Sequence, residues 1–236
     1  MKFAYLIEPP FNYRDADGVV TGCDVELARH VFAELGIAPF EPVESEFAAL
    51  LPGVAEGRWR MTTGLFATKE RRGNASFSRP IWALPDGLLV GKGNPRGLEG
   101  YGSVAKSRDC KLAVIRDQFQ HRSAAEFSIP ADRIVIFETY AEAARAVEIG
   151  AVDAYASVAR AHSGFLAQHP DLEAALVAVP THEKQPAFGS FAFAKHDTVF
   201  RLSVDKVLDA YIGSFAHRAM MAKFGFDDGE IDLLML

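Results

Sequence analysis

The chain has 236 residues, 49% of them hydrophobic and 24% charged, with a net charge of −6. That length suits one large domain or two small ones, in an ordinary globular composition. The negative balance and the lack of a long basic run argue against nucleic acid, and no stretch reaches the ~18 consecutive apolar residues of a membrane helix.

The opening "MKFAYLIEPPF" has neither an apolar h-region nor a small-residue cleavage site. An exported protein is therefore expected here in mature or trimmed form, with Met1 as an added start. It reads as a strand, Phe3 to Ile7, ending at a Pro pair. A polar turn leads into "CDVELARHVFAELG", a helix with Asp24 as N-cap, Leu27, Val31 and Leu35 on one face, and Gly36 as its stop. "APFEPVES" gives a second strand. "EFAALLPGVAEG" gives a second helix with Phe47, Leu50, Leu51 and Val54 together and Gly57 at its end. "RWRMTTGLF" gives a third strand. This β-α-β-α-β order predicts a mostly parallel sheet flanked by helices.

An apolar extended segment, Gly87 to Val90, leads to a second α/β series. "CKLAVI" and "DRIVIF" read as strands around the helix "DQFQHRSAAEF". "TYAEAARAVEIG" is a helix with a capping box from Thr139 and Glu142 and a stop at Gly150. "AVDAYASVA" is a strand, and "PAFGSFAFAK" a late strand carrying Phe188, Phe191 and Phe193. The tail reads as one long or broken amphipathic helix with Val204, Val207, Leu208, Tyr211 and Phe215 on its buried stripe. Two α/β units joined by extended crossovers predict two lobes with a ligand cleft. Cys23 and Cys110 read as free buried thiols, with a single disulfide as the alternative.

In order and spacing, these pieces resemble the family 3 extracellular solute-binding proteins of ABC transporters over nearly the whole chain. The resemblance rests on "IEPPFNYRDADGVVTGCDVELARHVFAELG", "GLFATKERRGNASFSRP", "VEIGAVDAYAS" and "FGSFAFAKHDTVFRLSVDKVL". It implies a two-lobed, hinged α/β fold of the type 2 periplasmic-binding-protein kind. Lobe one would span residues 1–88 and 190–236, and lobe two residues 89–189. It further implies a monomer in the periplasm or outside the cell, handing a small ligand to a membrane permease by lobe closure, with no cofactor.

The same resemblance makes Arg71 the clamp on a ligand carboxylate, which a planar guanidinium fits bidentately. A surface arginine beside Glu70 is the ordinary alternative. Thr68 would add a hydroxyl and a backbone N–H, or simply cap the helix that follows, and Gly64 opens the same signature. The acid that usually pairs an α-ammonium from lobe two falls on Val158, and the usual "G-T-T" turn reads Asp117-Gln118-Phe119. A buried ammonium needs close acceptors, so these departures point away from a standard α-amino acid. Phe11, Phe47, Phe66 and Phe119 fall at positions that face the family's cleft, and Glu8 adds a carboxylate. Aromatic faces suit a delocalised or alkylated cation. With 18 Phe in the chain, each ring also has a core reading; Trp59, Trp82 and Phe188 are left as core or hinge-side residues.

Within the family, Glu8-Pro9-Pro10-Phe11, the run from Gly64 to Arg71 and "GKGNPRGLEGYGSVA" are most similar to the ectoine/hydroxyectoine-binding subgroup. The expected ligand is thus a small zwitterion of the compatible-solute class. The rivals are a standard polar amino acid, a cyclohexadienyl dehydratase-like enzyme using Glu8, and a sensor module. No Ser-His-Asp, Cys-His or metal spacing stands out, and the seven His are scattered.

Overall fold

The computed structural model describes residues 1–235. It opens with β1 (Lys2–Tyr5), a short hairpin of β2 (Tyr13–Arg14) and β3 (Val20–Thr21), and α1 (Cys23–Glu34). There follow β4 (Glu41–Glu44), α2 (Phe47–Ala55), β5 (Met61–Thr62), β6 (Gly64–Phe66), α3 (Lys69–Asn74), β7 (Ala75–Phe77) and β8 (Trp82–Leu84). Next come β9 (Asp86–Gly91), α4 (Tyr101–Lys106), β10 (Leu112–Ile115), α5 (Phe119–Glu126), β11 (Ile134–Phe137) and α6 (Tyr140–Glu148). β12 (Ala154–Val158), α7 (Ala159–Gln168) and β13 (Ala174–Ala178) continue that run. The chain ends in β14 (Ala187–Ala194), α8 (Thr198–Tyr211), α9 (Phe215–Ala222) and α10 (Asp228–Asp232).

Two compact units result. Unit 1 is Met1–Ala83 with Ala187–Leu236, and unit 2 is Leu84–Pro186. In unit 1, β4, β1 and β5 form a parallel sheet, and β14 pairs antiparallel with β6 and β7 and also pairs β8. α2 lays Leu50 and Val54 on this core with Phe47 and Leu51 partly buried beside them, and Gly57 follows at φ 72°. Unit 2 is one five-stranded sheet in the order β11-β10-β12-β9-β13, parallel across its first three strands and antiparallel at β9 and β13. A single apolar cluster of unit 2 holds Leu88, Val90, Tyr101, Val104, Leu112 and Val114. The predicted capping box on α6 forms: Thr139 accepts from the Glu142 N–H, and Glu142 reaches back to the Thr139 N–H.

Several expectations are corrected. Asp24 does not cap α1. The cap position is Gly22, at φ 127°, where a Cβ would stand 2.1 Å from the Phe11 carbonyl oxygen. Asp24 lies inside the first turn and is buried. The third strand breaks at Thr63 into β5 and β6, which join different sheets. In β14, Phe191 and Phe193 are fully buried while Phe188 is 47% exposed. Strand side chains alternate with period two, so an odd offset puts Phe188 on the other face. The tail is three helices, and Phe215, at the start of α9, is 89% exposed rather than on the buried stripe. α4, α7 and β13 are elements beyond those the sequence pattern predicts.

Candidate functional site

In unit 1, the turn Glu8-Pro9-Pro10-Phe11 is closed by its own backbone. Phe11 N and Asn12 N both donate to Glu8 O, at 3.0 and 3.1 Å, and Glu8 N donates to Asn12 O. The turn also receives the start of α1: Cys23 N donates to Pro10 O and Asp24 N to Phe11 O, at 3.0 and 3.1 Å. Two helix N–H groups that would otherwise lack partners are thereby satisfied. Phe11 is buried by this arrangement, and Glu8 beside it is half-buried.

The Asp24 carboxylate accepts from Thr63 Oγ1 at 2.6 Å, Gly64 N at 2.8 Å and Trp82 Nε1 at 3.1 Å. Asn12 Nδ2 donates to the same Thr63 oxygen at 2.8 Å. Burial raises the Asp24 pKa above the ordinary carboxylate value, and these donors pull it back. The network fixes the Trp82 indole. Its ring lies 5.6 Å from the Phe11 ring and 5.3 Å from the Phe66 ring, the latter pair edge to face at 87°. The indole passes so close to Gly64 and Gly189 that a Cβ would meet it at 2.7 and 2.0 Å.

Arg71 sits in α3, capped by Thr68, whose hydroxyl accepts from Arg71 N at 3.2 Å. Arg71 Nη1 donates to the Phe66 carbonyl oxygen at 3.0 Å, and the guanidinium carbon is 5.2 Å from the centroid of the Phe47 ring. Unit 1 thus links Phe47, Arg71, Phe66, Trp82 and Phe11 in one continuous series of contacts, with Thr68 and Gly64 on its backbone. Arg72 turns away to the Ala67 carbonyl and the Phe77 ring. Sequence reasoning left Trp82 out of this group. Its one signal was an aromatic in the strand that follows the "F-S-x-P" segment.

In unit 2, Asp117 takes a left-handed φ of 62° and Gln118 occupies the cap position of α5, with Phe119 the first helical residue. Val158 closes β12 and lies directly across from Asp86 of β9. Asp86 itself is buried and holds a cluster the sequence reading did not find. Its carboxylate accepts from Tyr101 Oη at 2.6 Å, from Gln120 Nε2 at 2.8 Å, and from Lys184 Nζ. A charge inside the apolar run "WALPDGLLV" was the available signal. His162, also buried, has Nε2 at 3.2 Å from the Gly87 carbonyl and Nδ1 on the Tyr140 hydroxyl, so Nε2 carries the proton. Burial lowers its pKa to about 3 and keeps it neutral.

Among the described residues, no group of three or more His, Cys, Asp or Glu could hold a metal ion, and no helix is long and apolar enough to cross a membrane. The unit 1 group places a planar guanidinium beside a row of aromatic rings.

The sequence model of bacterial extracellular solute-binding proteins, family 3, matches residues 2–227. The probable amino-acid ABC transporter periplasmic-binding protein y4tE of Sinorhizobium fredii is 29% identical, over 96% of this chain and 77% of that protein. The arginine-binding protein ArgT of Corynebacterium glutamicum is 29% identical over 63% of this chain and 50% of its own length. Among solved structures, EhuB in complex with hydroxyectoine superposes with a TM-score of 0.88 at 26% identity, over 99% of this chain and 90% of that one. An ancestral arginine-binding protein bound to glutamine, at 20% identity and a TM-score of 0.84 over 94% and 96%, shares the fold.

Proposed function

Because the chain belongs to the family 3 bacterial extracellular solute-binding proteins, a solute-binding role in an ABC transporter is its function class, and we propose that its solute is a small zwitterion of the ectoine and hydroxyectoine type. Arg71 takes the ligand carboxylate, with the Thr68 hydroxyl and the Gly64 segment beside it. Phe66, Phe11 and Phe47 receive the delocalised cation, and Glu8 accepts from its N–H groups. Gln118, Phe119 and Val158 are the contributions of unit 2. The loaded protein then delivers its cargo to a membrane permease, in the periplasm, the location that the name of the Sinorhizobium relative gives for that protein.

The observation that carries this reading is the Arg71 guanidinium, held 3.0 Å from the Phe66 carbonyl and 5.2 Å from the Phe47 ring, next to the Phe66–Trp82–Phe11 row. A carboxylate clamp adjoining a row of rings matches a ligand whose anion is localised and whose cation is spread. The structural likeness to a hydroxyectoine complex supports it from outside the chain. The amino-acid names of the curated relatives favour a second reading, a standard polar amino acid.

Calorimetric titration with ectoine, hydroxyectoine, glycine betaine, proline, arginine and histidine separates the two. Ectoine or hydroxyectoine is expected to bind most tightly. Tight arginine or histidine binding with no response to ectoine would sink the proposal.

A further inference from the structure

Lys184 sits in the segment just before β14. Its ammonium contacts the Asp86 carboxylate and the Ser123 hydroxyl and stands 4.2 Å from the centroid of the Phe119 ring and 5.4 Å from that of Tyr101. An acid, a hydroxyl and an aromatic face make the set of partners that a primary ammonium takes when it leaves water. Asp86 is 1% exposed and Lys184 12%, so the acid lies beneath the amine. The neighbouring Glu183 accepts from Tyr101 N at 2.6 Å, which holds the backbone carrying Lys184 against α4. Two of the three unit 2 residues assigned to the ligand lie at this pair, and the third adjoins one of them in the chain. Phe119 is the ring under Lys184, Gln118 precedes it in sequence, and Val158 is the cross-strand neighbour of Asp86, with its side chain on the same face of the sheet.

We propose that Lys184 is a specificity-determining residue: its own ammonium occupies the acid-and-ring position that unit 2 would otherwise offer to the primary ammonium of an α-amino acid. The inference rests on the ligand reading given above. An Asp86 already neutralised and coordinated has nothing to give an incoming –NH3+, while a solute whose cation is delocalised and served by unit 1 loses nothing. Removing the Lys184 charge exposes a desolvated carboxylate, which then favours a ligand ammonium.

The test is calorimetry on the wild-type chain, Lys184→Met and the double variant Lys184→Met/Asp86→Asn, with ectoine, glutamine and arginine as ligands. Lys184→Met is expected to bind glutamine and arginine about ten-fold or more tightly than wild type, with ectoine changed by less than about three-fold. The added Asp86→Asn should erase that gain. A folded Lys184→Met with the wild-type ranking, and only a lower melting temperature, overturns the proposal and leaves the pair as a brace. Should Lys184→Met fail to fold, Lys184→Gln keeps a donor for Asp86 and Ser123; a gain there supports the proposal and a flat response overturns it. A wild type that ignores ectoine while Lys184→Met gains glutamine sinks the ligand reading and spares the role of Lys184. A wild type that binds ectoine while Lys184→Met stays flat does the reverse. Tight glutamine or arginine binding by wild type overturns both.

Discussion

The two units hold their cations in different surroundings. In unit 1 the cation of interest, Arg71, donates to the Phe66 carbonyl and stands near the Phe47 ring. In unit 2 the cation, Lys184, is spent on an internal acid, and Asp86 is surrounded by three donors. A charge used for architecture, or to keep something out, is paired within the fold, because an unpaired buried ion is costly.

Substitutions in each unit test this difference. Arg71→Ala has the largest expected effect: ligand affinity should fall by at least about 100-fold, some 3 kcal/mol, with little change in melting temperature, as read by calorimetry and thermal unfolding. Gly189→Ala should instead act on stability, because its Cβ would stand 2.0 Å from the Trp82 indole. A loss of about 2 kcal/mol is expected in chemical denaturation, with weaker ligand binding as the Phe66–Trp82–Phe11 row shifts.

Unit 2 carries a pH signature. His162 is held at a pKa of about 3 in the fold against an ordinary value of 6.5. Below 6.5 the unfolded chain binds a proton that the folded chain refuses, so stability should fall as the pH drops from there towards 3, by up to about 1.4 kcal/mol per pH unit. His162→Gln removes this proton and should flatten the acid limb of a stability-versus-pH series, at some cost at neutral pH. The smallest effect belongs to Phe215→Ser. At 89% exposure the ring contributes little, and the denaturation midpoint should correspond to a change within about 0.5 kcal/mol.

What could be read in advance follows the range of the interactions. Thr139 and Glu142 are three residues apart and announce their helix locally. The Arg71 signature is likewise a run of adjacent residues. Asp24 was misread because an acid before an apolar run usually caps a helix; here its partners, Thr63, Gly64 and Trp82, lie far along the chain, and tertiary contacts override the local rule. Asp86 and Lys184 are 98 positions apart, and no periodicity joins them. α7 carries no clear apolar period, because "ARAHSGFLAQ" mixes small and polar residues and buries only Ala161, His162 and Phe165. Phe215 shows the opposite error. It continued the helical spacing of the tail, but the chain breaks after Tyr211 and restarts as α9, which rotates the pattern.

The slot that receives Trp82 has a consequence for how this protein can change. Two glycines on different strands, Gly64 and Gly189, are each shaped to one indole. Neither can gain a side chain while the tryptophan stays, and a smaller residue at position 82 would leave a void until one of them grew. The three positions therefore form a lock that opens only by paired steps. A lineage drifting towards a bulkier or slimmer solute would pass through a weakened intermediate before the next partner caught up.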